Sequence, residues 1–247
     1  MVNLVIDIGN TYSKIALFNN RDLLKLEVSE GLDINRLEHF FMESPIENAI
    51  VASVGVNTEE LETFLAQRCR YLQFSTGMPA GVRNHYKSPQ TLGPDRYAAV
   101  IAAKALFNEN DCLVIDAGTC VTYDFVDKQG NYYGGSISPG INMRFRAMNT
   151  FTARLPLIEA DMSFEGVYGA DTREAMLSGV INGLYYEIVG FIEQYYKKFP
   201  DLKVLVCGGD IAFFDRVLKN SIFAEILHAE PNLVLIGLNE VIHQYND

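Results

Sequence analysis

Two stretches of this chain repeat one another: Leu4-Val5-Ile6-Asp7-Ile8-Gly9 returns 109 residues later as Leu113-Val114-Ile115-Asp116-Ala117-Gly118, with five of six positions identical. Each copy is an apolar run ending in Asp, then a small turn with Gly and Thr (Thr11, Thr119), then a second β-rich run over residues 15–18 or 121–126. That order predicts a strand, a tight turn and a returning antiparallel strand, twice over. Two copies of one strand-led unit constrain the fold more than any other feature, because each must bury the same kind of apolar strand.

The residues between the copies alternate in kind. Helices are expected over residues 33–42 and 59–69, with strands over 49–53 and 71–74, which implies an α/β layer. After the second copy come a hairpin turn at Lys128-Gln129-Gly130-Asn131, a Gly-rich bend at Gly134-Gly135-Ser136 and a long helix over 172–197. Leu177, Ile181, Leu184, Ile188 and Ile192 in that helix are spaced 4, 3, 4 and 4 apart and form one stripe. Val204 to Cys207 reads as a buried strand running into Gly208-Gly209-Asp210. The expected organisation is two similar halves, 1–110 and 111–247, cut in the polar stretch Asn108-Glu109-Asn110-Asp111.

At 247 residues with 49% hydrophobic and 21% charged, the chain has enough apolar mass to fold without staples. Its net charge of −11 sets an unfavourable field for any nucleic acid, so no nucleic-acid partner is expected. Cys69, Cys112, Cys120 and Cys207 read as reduced core thiols, and His39, His85, His228 and His243 have no metal-ligand spacing. The N-terminal segment has no signal-like core and no 18-residue apolar run occurs, so a cytoplasmic protein with no membrane partner is expected.

Phosphate binding without a P-loop needs backbone N–H groups and hydroxyls turned toward the anion, which Asp7-Ile8-Gly9-Asn10-Thr11 offers. Lys14 adds a point charge for a terminal phosphate, or is an ordinary solvent-facing lysine of the returning strand. A carboxylate ending each strand, Asp7 and Asp116, suits a Mg²⁺–phosphate complex, or it caps its turn. Gly208-Gly209 reads as a strand-to-helix turn or as the flat surface on which an adenine ring rests. The pairing and order of the motifs favour the nucleotide reading.

A further segment runs from Tyr86 through Gly93-Pro94-Asp95-Arg96 into an Ala-rich helix over 97–107. Pro94 suits the first turn of that helix, and Asp95 lies where the helix dipole favours a negative charge. Asp95 either satisfies free N–H groups there or accepts the proton of a hydroxyl placed in line with a γ-phosphate. Arg96 either grips a substrate carboxylate or makes a surface ion pair.

The motif order over the whole chain resembles the actin-like ATPase superfamily of sugar kinases, Hsp70 chaperones and actin. The resemblance implies two ribonuclease H-like (actin-like ATPase) α/β domains with mixed sheets flanked by helices. Within it the sequence is similar to the type III pantothenate kinases. Their D-x-G-N-T-x-x-K stands here as Asp7, Gly9, Asn10, Thr11 and Lys14, their G-x-D-R as Gly93 to Arg96, and their D-x-G-T as Asp116 to Thr119. Their G-x-x-T-x-x-A stands as Gly169, Thr172 and Ala175.

The resemblance implies ATP-dependent phosphorylation of pantothenate to 4′-phosphopantothenate, the first step of coenzyme A synthesis. It assigns the ATP phosphates to Asp7, Ile8, Gly9, Asn10, Thr11, Tyr12, Ser13 and Lys14, with Thr119 also contacting ATP. It makes Asp95 the proton acceptor and assigns pantothenate to Tyr86, Gly93, Pro94, Asp95 and Arg96. Mg²⁺ accompanies ATP, while Asp116 ligates a monovalent cation, K⁺ or NH₄⁺, and not the Mg²⁺ suggested by its position alone. The resemblance further implies a homodimer in which Thr172 reaches the neighbouring subunit's pantothenate. Read from the residues alone, 171–174 is a helix start with capping-box spacing.

Cys120 stands where the family commonly has a small residue such as Ala; its size predicts little effect beyond oxidation sensitivity. His85, beside Tyr86, is a further candidate lining residue. Two alternatives remain at this level, a kinase for another small hydroxy acid and a nucleotide-binding accessory or regulatory protein of the same fold. The complete set Asp7, Lys14, Asp95 and Arg96 argues for an enzyme, since binding alone has no chemical need of it.

Overall fold

The apolar run that opens the first repeat lies in the central strand of a sheet, where both of its faces are covered. In the computed structural model, which describes all residues except Asn10, residues 54–57, Pro79, Asp247 and the side chains of 215–217, the elements begin β1 (Val2–Ile8), β2 (Ser13–Asn19), β3 (Asp22–Ser29), α1 (Ile34–Glu43), β4 (Asn48–Ser53) and α2 (Glu59–Ala66). Next come β5 (Arg70–Gln73), β6 (Arg83–Asn84), α3 (Pro94–Leu106), β7 (Cys112–Ala117), β8 (Cys120–Val126), β9 (Asn131–Pro139) and α4 (Ile141–Phe151). The chain finishes with α5 (Thr172–Leu177), a π segment (Ser178–Asn182), α6 (Gly183–Lys198), β10 (Lys203–Cys207), α7 (Ile211–Leu218), β11 (Leu227–Ala229) and α8 (Leu233–Asn246). Contacts divide these into unit 1 (Met1–Asn108, Val126–Tyr133, Asn232–Asp247) and unit 2 (Glu109–Phe125, Gly134–Pro231).

Unit 1 carries the sheet β3-β2-β1-β4-β5, with β1–β2 and β2–β3 antiparallel and β1–β4 and β4–β5 parallel. Leu4, Ile6 and Ile8 of β1 pack with Leu37 and Phe40 of α1 and Leu61 and Leu65 of α2. Asn3 and Val5, on the opposite face, are fully buried as well, as expected of a central strand with a parallel neighbour. Asn3 donates to Asn239 of α8 at 2.8 Å and accepts from Asn48 of β4 at 3.0 Å, so the buried amides satisfy one another.

The Ala-rich composition of α3 has a packing reason. Every residue from Arg96 to Ala103 is buried, and α8 comes so near that a Cβ at Gly237 would lie 2.6 Å from the carbonyl carbon of Ala98. Small side chains on one helix and a glycine on the other allow that approach. Gly237→Val is therefore expected to destabilise the protein by about 1–3 kcal/mol through forced separation of the helices. Gly190→Ala in α6, where a Cβ meets nothing within 4 Å, is expected to be neutral or to gain up to about 1 kcal/mol. Urea unfolding of the pair checks this, and equal midpoints would remove the close-approach argument.

Unit 2 repeats the strand order of unit 1. The second sheet reads β11-β10-β7-β8-β9-β6, its first five strands in that repeated order, with β7–β10, β10–β11 and β6–β9 parallel. The repeated sequence thus forms most of β1 and of β7 and the glycine that follows each. Leu113 and Ile115 meet the predicted stripe of the long helix, and Leu177, Leu184, Ile188 and Ile192 are fully buried with Ile181 nearly so. The stretch Thr172–Lys198 is long and apolar enough by length and composition to cross a membrane; the buried stripe accounts for its hydropathy within this core.

Three local features differ from the sequence expectation. The helix over 172–197 is interrupted by the π segment, where Ser178 Oγ donates to the Val167 carbonyl at 2.8 Å and the Asn182 amide donates to the Gly166 carbonyl at 2.9 Å. Gly134-Gly135-Ser136 lies within β9 instead of bending: Gly134 takes φ +118, and Gly135 runs so close to Tyr123 that a Cβ would lie 2.7 Å from its carbonyl carbon. Helix α4 follows directly, with Ile141 and Phe145 buried, although only β9's end at Pro139-Gly140 punctuates the sequence there.

Candidate functional site

In unit 1 the first repeat forms the expected hairpin. Antiparallel pairing sets Asp7 opposite Lys14 and Ile8 opposite Ser13, and the Gly9 N–H donates to the Tyr12 carbonyl at 3.0 Å, closing the turn. Directly paired residues share a face, so Asp7 and Lys14 stand together at the end of β1, beside Ala52 of β4. Their face is the one that carries Asn3 and Val5, opposite the face that Ile6 and Ile15 bury against α1 and α2. Thr11 and Tyr12 are exposed at the tip while Ser13 is buried. Asn10 lies outside the described residues.

The second cluster of unit 1 is built at the start of α3. Gly93 is the residue before the helix, Pro94 its first, and the Arg96 N–H donates to Asp95 Oδ1 at 2.8 Å. A Cβ at Gly93 would run into the Asp95 carboxylate, so glycine there is what lets Asp95 take this position. Arg96 is 7% exposed and its guanidinium lies 5.8 Å from the Tyr86 ring centroid, a cation–π distance.

An aromatic layer supports the pair. Tyr86 stacks on Tyr132 at 6.3 Å, Tyr132 meets Tyr97 at 6.2 Å, and Tyr97 stacks on Phe74 at 6.1 Å. The Tyr97 hydroxyl donates to the carbonyls of Met78 and Val82, and burial pushes its phenol up to about 12. Tyr86 and Arg96 are thereby held by packing as well as by the chain. His85 is turned onto Tyr133, its ring stacked at 4.8 Å and Nε2 3.2 Å from Asn131 Oδ1.

Unit 2 builds a corresponding corner around the second repeat. The Gly118 N–H donates to the Cys120 carbonyl at 3.0 Å, closing the turn that carries Thr119. Asp116 is paired in register with Cys207, and Gly208 follows with φ +95. A Cβ at Gly208 would collide with the Asp116 carboxylate and would lie 2.6 Å from the Ala117 carbonyl carbon. The Asp210 N–H donates to the Ala117 carbonyl at 2.9 Å, and the Gly140 N–H to the Thr119 carbonyl at 3.1 Å. The turn is therefore gripped from two sides, by the Gly208–Asp210 bend and by the start of α4. The sequence assigns Gly140 and Asp210 no role; Pro139-Gly140 and Gly208-Gly209-Asp210 mark turns but not what the turns touch.

Burial raises the Asp210 carboxyl above its ordinary 3.8. A raised folded-state value means that the folded protein holds this proton more tightly than the unfolded chain. Stability should accordingly fall as pH rises from 3.8 through the raised value and level off above it. Asp210→Asn is expected to remove that part of the slope, read from thermal unfolding between pH 4 and 7; an unchanged slope would show that Asp210 titrates alike in both states.

Thr172 is the exposed first residue of α5. The cap before it is Asp171, whose carboxylate accepts the Glu174 N–H at 2.8 Å, while Glu174 Oε2 accepts the Ala170 N–H at 2.9 Å. That reciprocal pair explains the capping spacing without using Thr172.

The type III pantothenate kinase family model matches residues 3–194. A type III pantothenate kinase of Phocaeicola vulgatus is 42% identical over 247 residues, spanning 100% of this chain and 99% of its own. Among solved structures, the chain is similar to a Campylobacter jejuni protein described as a Baf family transcriptional activator, with TM-score 0.61, 21% identity and 98% of each chain covered. It is also similar to the Clostridium difficile activator of 2-hydroxyisocaproyl-CoA dehydratase with bound ADPNP, with TM-score 0.53, 12% identity and 100% and 97% of the two chains covered. At these identities the two structures speak for the fold, the actin-like ATPase one with a mixed sheet in each half.

Proposed function

The chain belongs to the type III pantothenate kinase family, and from that membership we infer that it transfers the γ-phosphoryl group of ATP to pantothenate. The product is 4′-phosphopantothenate, made at the first step of coenzyme A synthesis. A cytoplasmic location goes with that role.

The observation that carries the assignment of residues is the start of α3, where Asp95 accepts the Arg96 N–H and the Arg96 guanidinium lies over the Tyr86 ring. We assign Asp95 as the acceptor of the hydroxyl proton of pantothenate. As the new O–P bond forms and the bond to the β-phosphate oxygen of ATP breaks, the proton passes to an Asp95 carboxylate oxygen and ADP leaves. Arg96 presents the positive charge for the acidic substrate, with Tyr86, Gly93 and Pro94 shaping the remainder of its site. Arg96 reaches its place through packing, so little side-chain freedom is lost on binding.

The phosphates of ATP are assigned to the first hairpin, residues 7–14, with Lys14 as the point charge, and to Thr119 on the second. Backbone N–H groups and hydroxyls at two turns act by positioning and by charge stabilisation. Mg²⁺ accompanying ATP would neutralise phosphate charge, and the carboxylate of Asp7, set opposite Lys14, would supply it a protein oxygen. Asp116 is assigned to a monovalent cation, K⁺ or NH₄⁺. Its carboxylate is a hard oxygen donor of the kind such a cation takes, and glycine at 208 is what lets it stand where it does, because a Cβ there would collide with it. We assign the functional state as a homodimer, with exposed Thr172 reaching the pantothenate of the second copy.

A coupled ADP-release assay with Mg²⁺–ATP and pantothenate, run in sodium buffer with and without K⁺ or NH₄⁺, tests the reading. Pantothenate-dependent turnover that rises with the monovalent cation is the expected result. Turnover indifferent to the cation would remove the role of Asp116, and no turnover in either buffer would overturn the activity.

A further inference from the structure

We propose that Glu187 of α6 is a positioning residue for the ATP site, holding the corner between β9 and α4 so that Gly140 fixes Thr119. The inference rests on the reading of Thr119 as an ATP contact and extends it to residues far outside the family motifs.

The geometry is a carboxylate with three donors from three different elements. Glu187 Oε1 accepts the Tyr123 hydroxyl of β8 at 2.9 Å and the Ser138 hydroxyl of β9 at 2.5 Å, while Oε2 accepts Arg144 Nη2 of α4. Arg144 closes the ring through Nε to the Pro139 carbonyl at 2.8 Å and through Nη2 to Ser138 Oγ at 3.3 Å. Ser138, Pro139 and Arg144 flank Gly140, the residue whose N–H binds the Thr119 carbonyl.

The corner needs such a fastening. A Cβ at Gly140 would lie 3.0 Å from the Thr119 carbonyl carbon and nearer still to the carbonyl oxygens of Gly118 and Thr119. The backbones of the corner and of the turn are therefore in direct contact, and a shift of one moves the other. The partners of Glu187 are themselves anchored, since Tyr123 is fully buried with its ring stacked on Phe191 at 3.9 Å. The side chains of Arg144 and Glu187 keep 22% and 24% exposure, so the pair is shielded enough to be geometrically definite. A charged, hydrogen-bonded pair of this kind fixes direction as well as distance.

The test is steady-state kinetics on Glu187→Gln, Thr119→Val and the double variant, with thermal unfolding of each. Glu187→Gln keeps the shape but loses the charge for Arg144. It is expected to raise KM for ATP about tenfold with KM for pantothenate within twofold, and to add little to the effect of Thr119→Val in the double variant. A purely structural role would lower the unfolding temperature while leaving the ratio of the two KM values unchanged, and that result would overturn the proposal. Thr119→Val with a raised KM for ATP beside Glu187→Gln without one would also overturn it, leaving the Thr119 assignment standing. A normal KM for ATP in Thr119→Val would remove that assignment and the proposal together. Should Glu187→Gln fold poorly, Arg144→Lys, which keeps the charge but not the fork to Pro139 and Ser138, is expected to shift the same KM in the same direction; no shift would overturn the proposal.

Discussion

Replacing Asp95 by Asn is expected to lower kcat by roughly 10² or more, the usual contribution of a positioned general base. Asn is nearly the same size and still accepts the Arg96 N–H through its amide oxygen, which now binds Asp95 at 2.8 Å. The start of α3 should therefore keep its geometry, and ATP binding at the hairpin should stay within a few-fold. What disappears is an oxygen able to take the proton. Single-turnover kinetics with an independent measurement of nucleotide binding separates these terms, and a variant within tenfold of the parent in kcat would remove Asp95 from the role. Arg96 offers no substitute, because a guanidinium does not accept a proton.

The second large effect is expected at Gly208. Its φ of +95 is a conformation that side chains rarely adopt, and a Cβ there would meet the Asp116 carboxylate and the Ala117 backbone. Gly208→Ala should cost at least about 1–3 kcal/mol in backbone strain alone. It should also displace the Asp116 carboxylate, so that activation by K⁺ needs more cation or is lost. Gly209→Ala is the matched control, because a Cβ at Gly209 meets nothing within 4 Å. Denaturant unfolding of both variants without nucleotide, followed by a K⁺ titration of activity, reads the two consequences separately. Equal stability of the two variants would show that the turn adjusts freely, and an unchanged K⁺ response in Gly208→Ala would show that the cation does not depend on the position of the Asp116 carboxylate.

Much of the candidate site was legible because it is local in the chain. Asp7, Gly9 and Lys14 fall within eight residues, and one hairpin is enough to set Asp7 opposite Lys14. Gly93 to Arg96 sit on one helical turn, where Pro at its start and the carboxylate after it have their own chemical meaning. Helix periodicity similarly identified Leu184, Ile188 and Ile192 as core. The grip on the second turn was not legible, since the Gly140 N–H reaches Thr119 and the Asp210 N–H reaches Ala117 from elements separated from them by many residues. Helix α4 is not legible for a related reason: Gly134-Gly135 signals a bend, whereas Gly135 serves the approach of β9 to Tyr123.

The sequence by itself determined the repeated strand-turn-strand, the alternation of layers and the short motifs, because apolar period and turn chemistry are properties of neighbouring residues. It also determined the family, since four motifs in the family's order are a specific match. Only the tertiary structure decided that α8 returns to pack on α3 through Gly237, that Tyr97 and Tyr132 support Tyr86 and Arg96, and that Glu187 ties β8, β9 and α4 together. These are contacts between residues tens to hundreds of positions apart. Their partners are selected by shape and by hydrogen-bond satisfaction in a closed core, and no local pattern in a single sequence encodes that choice.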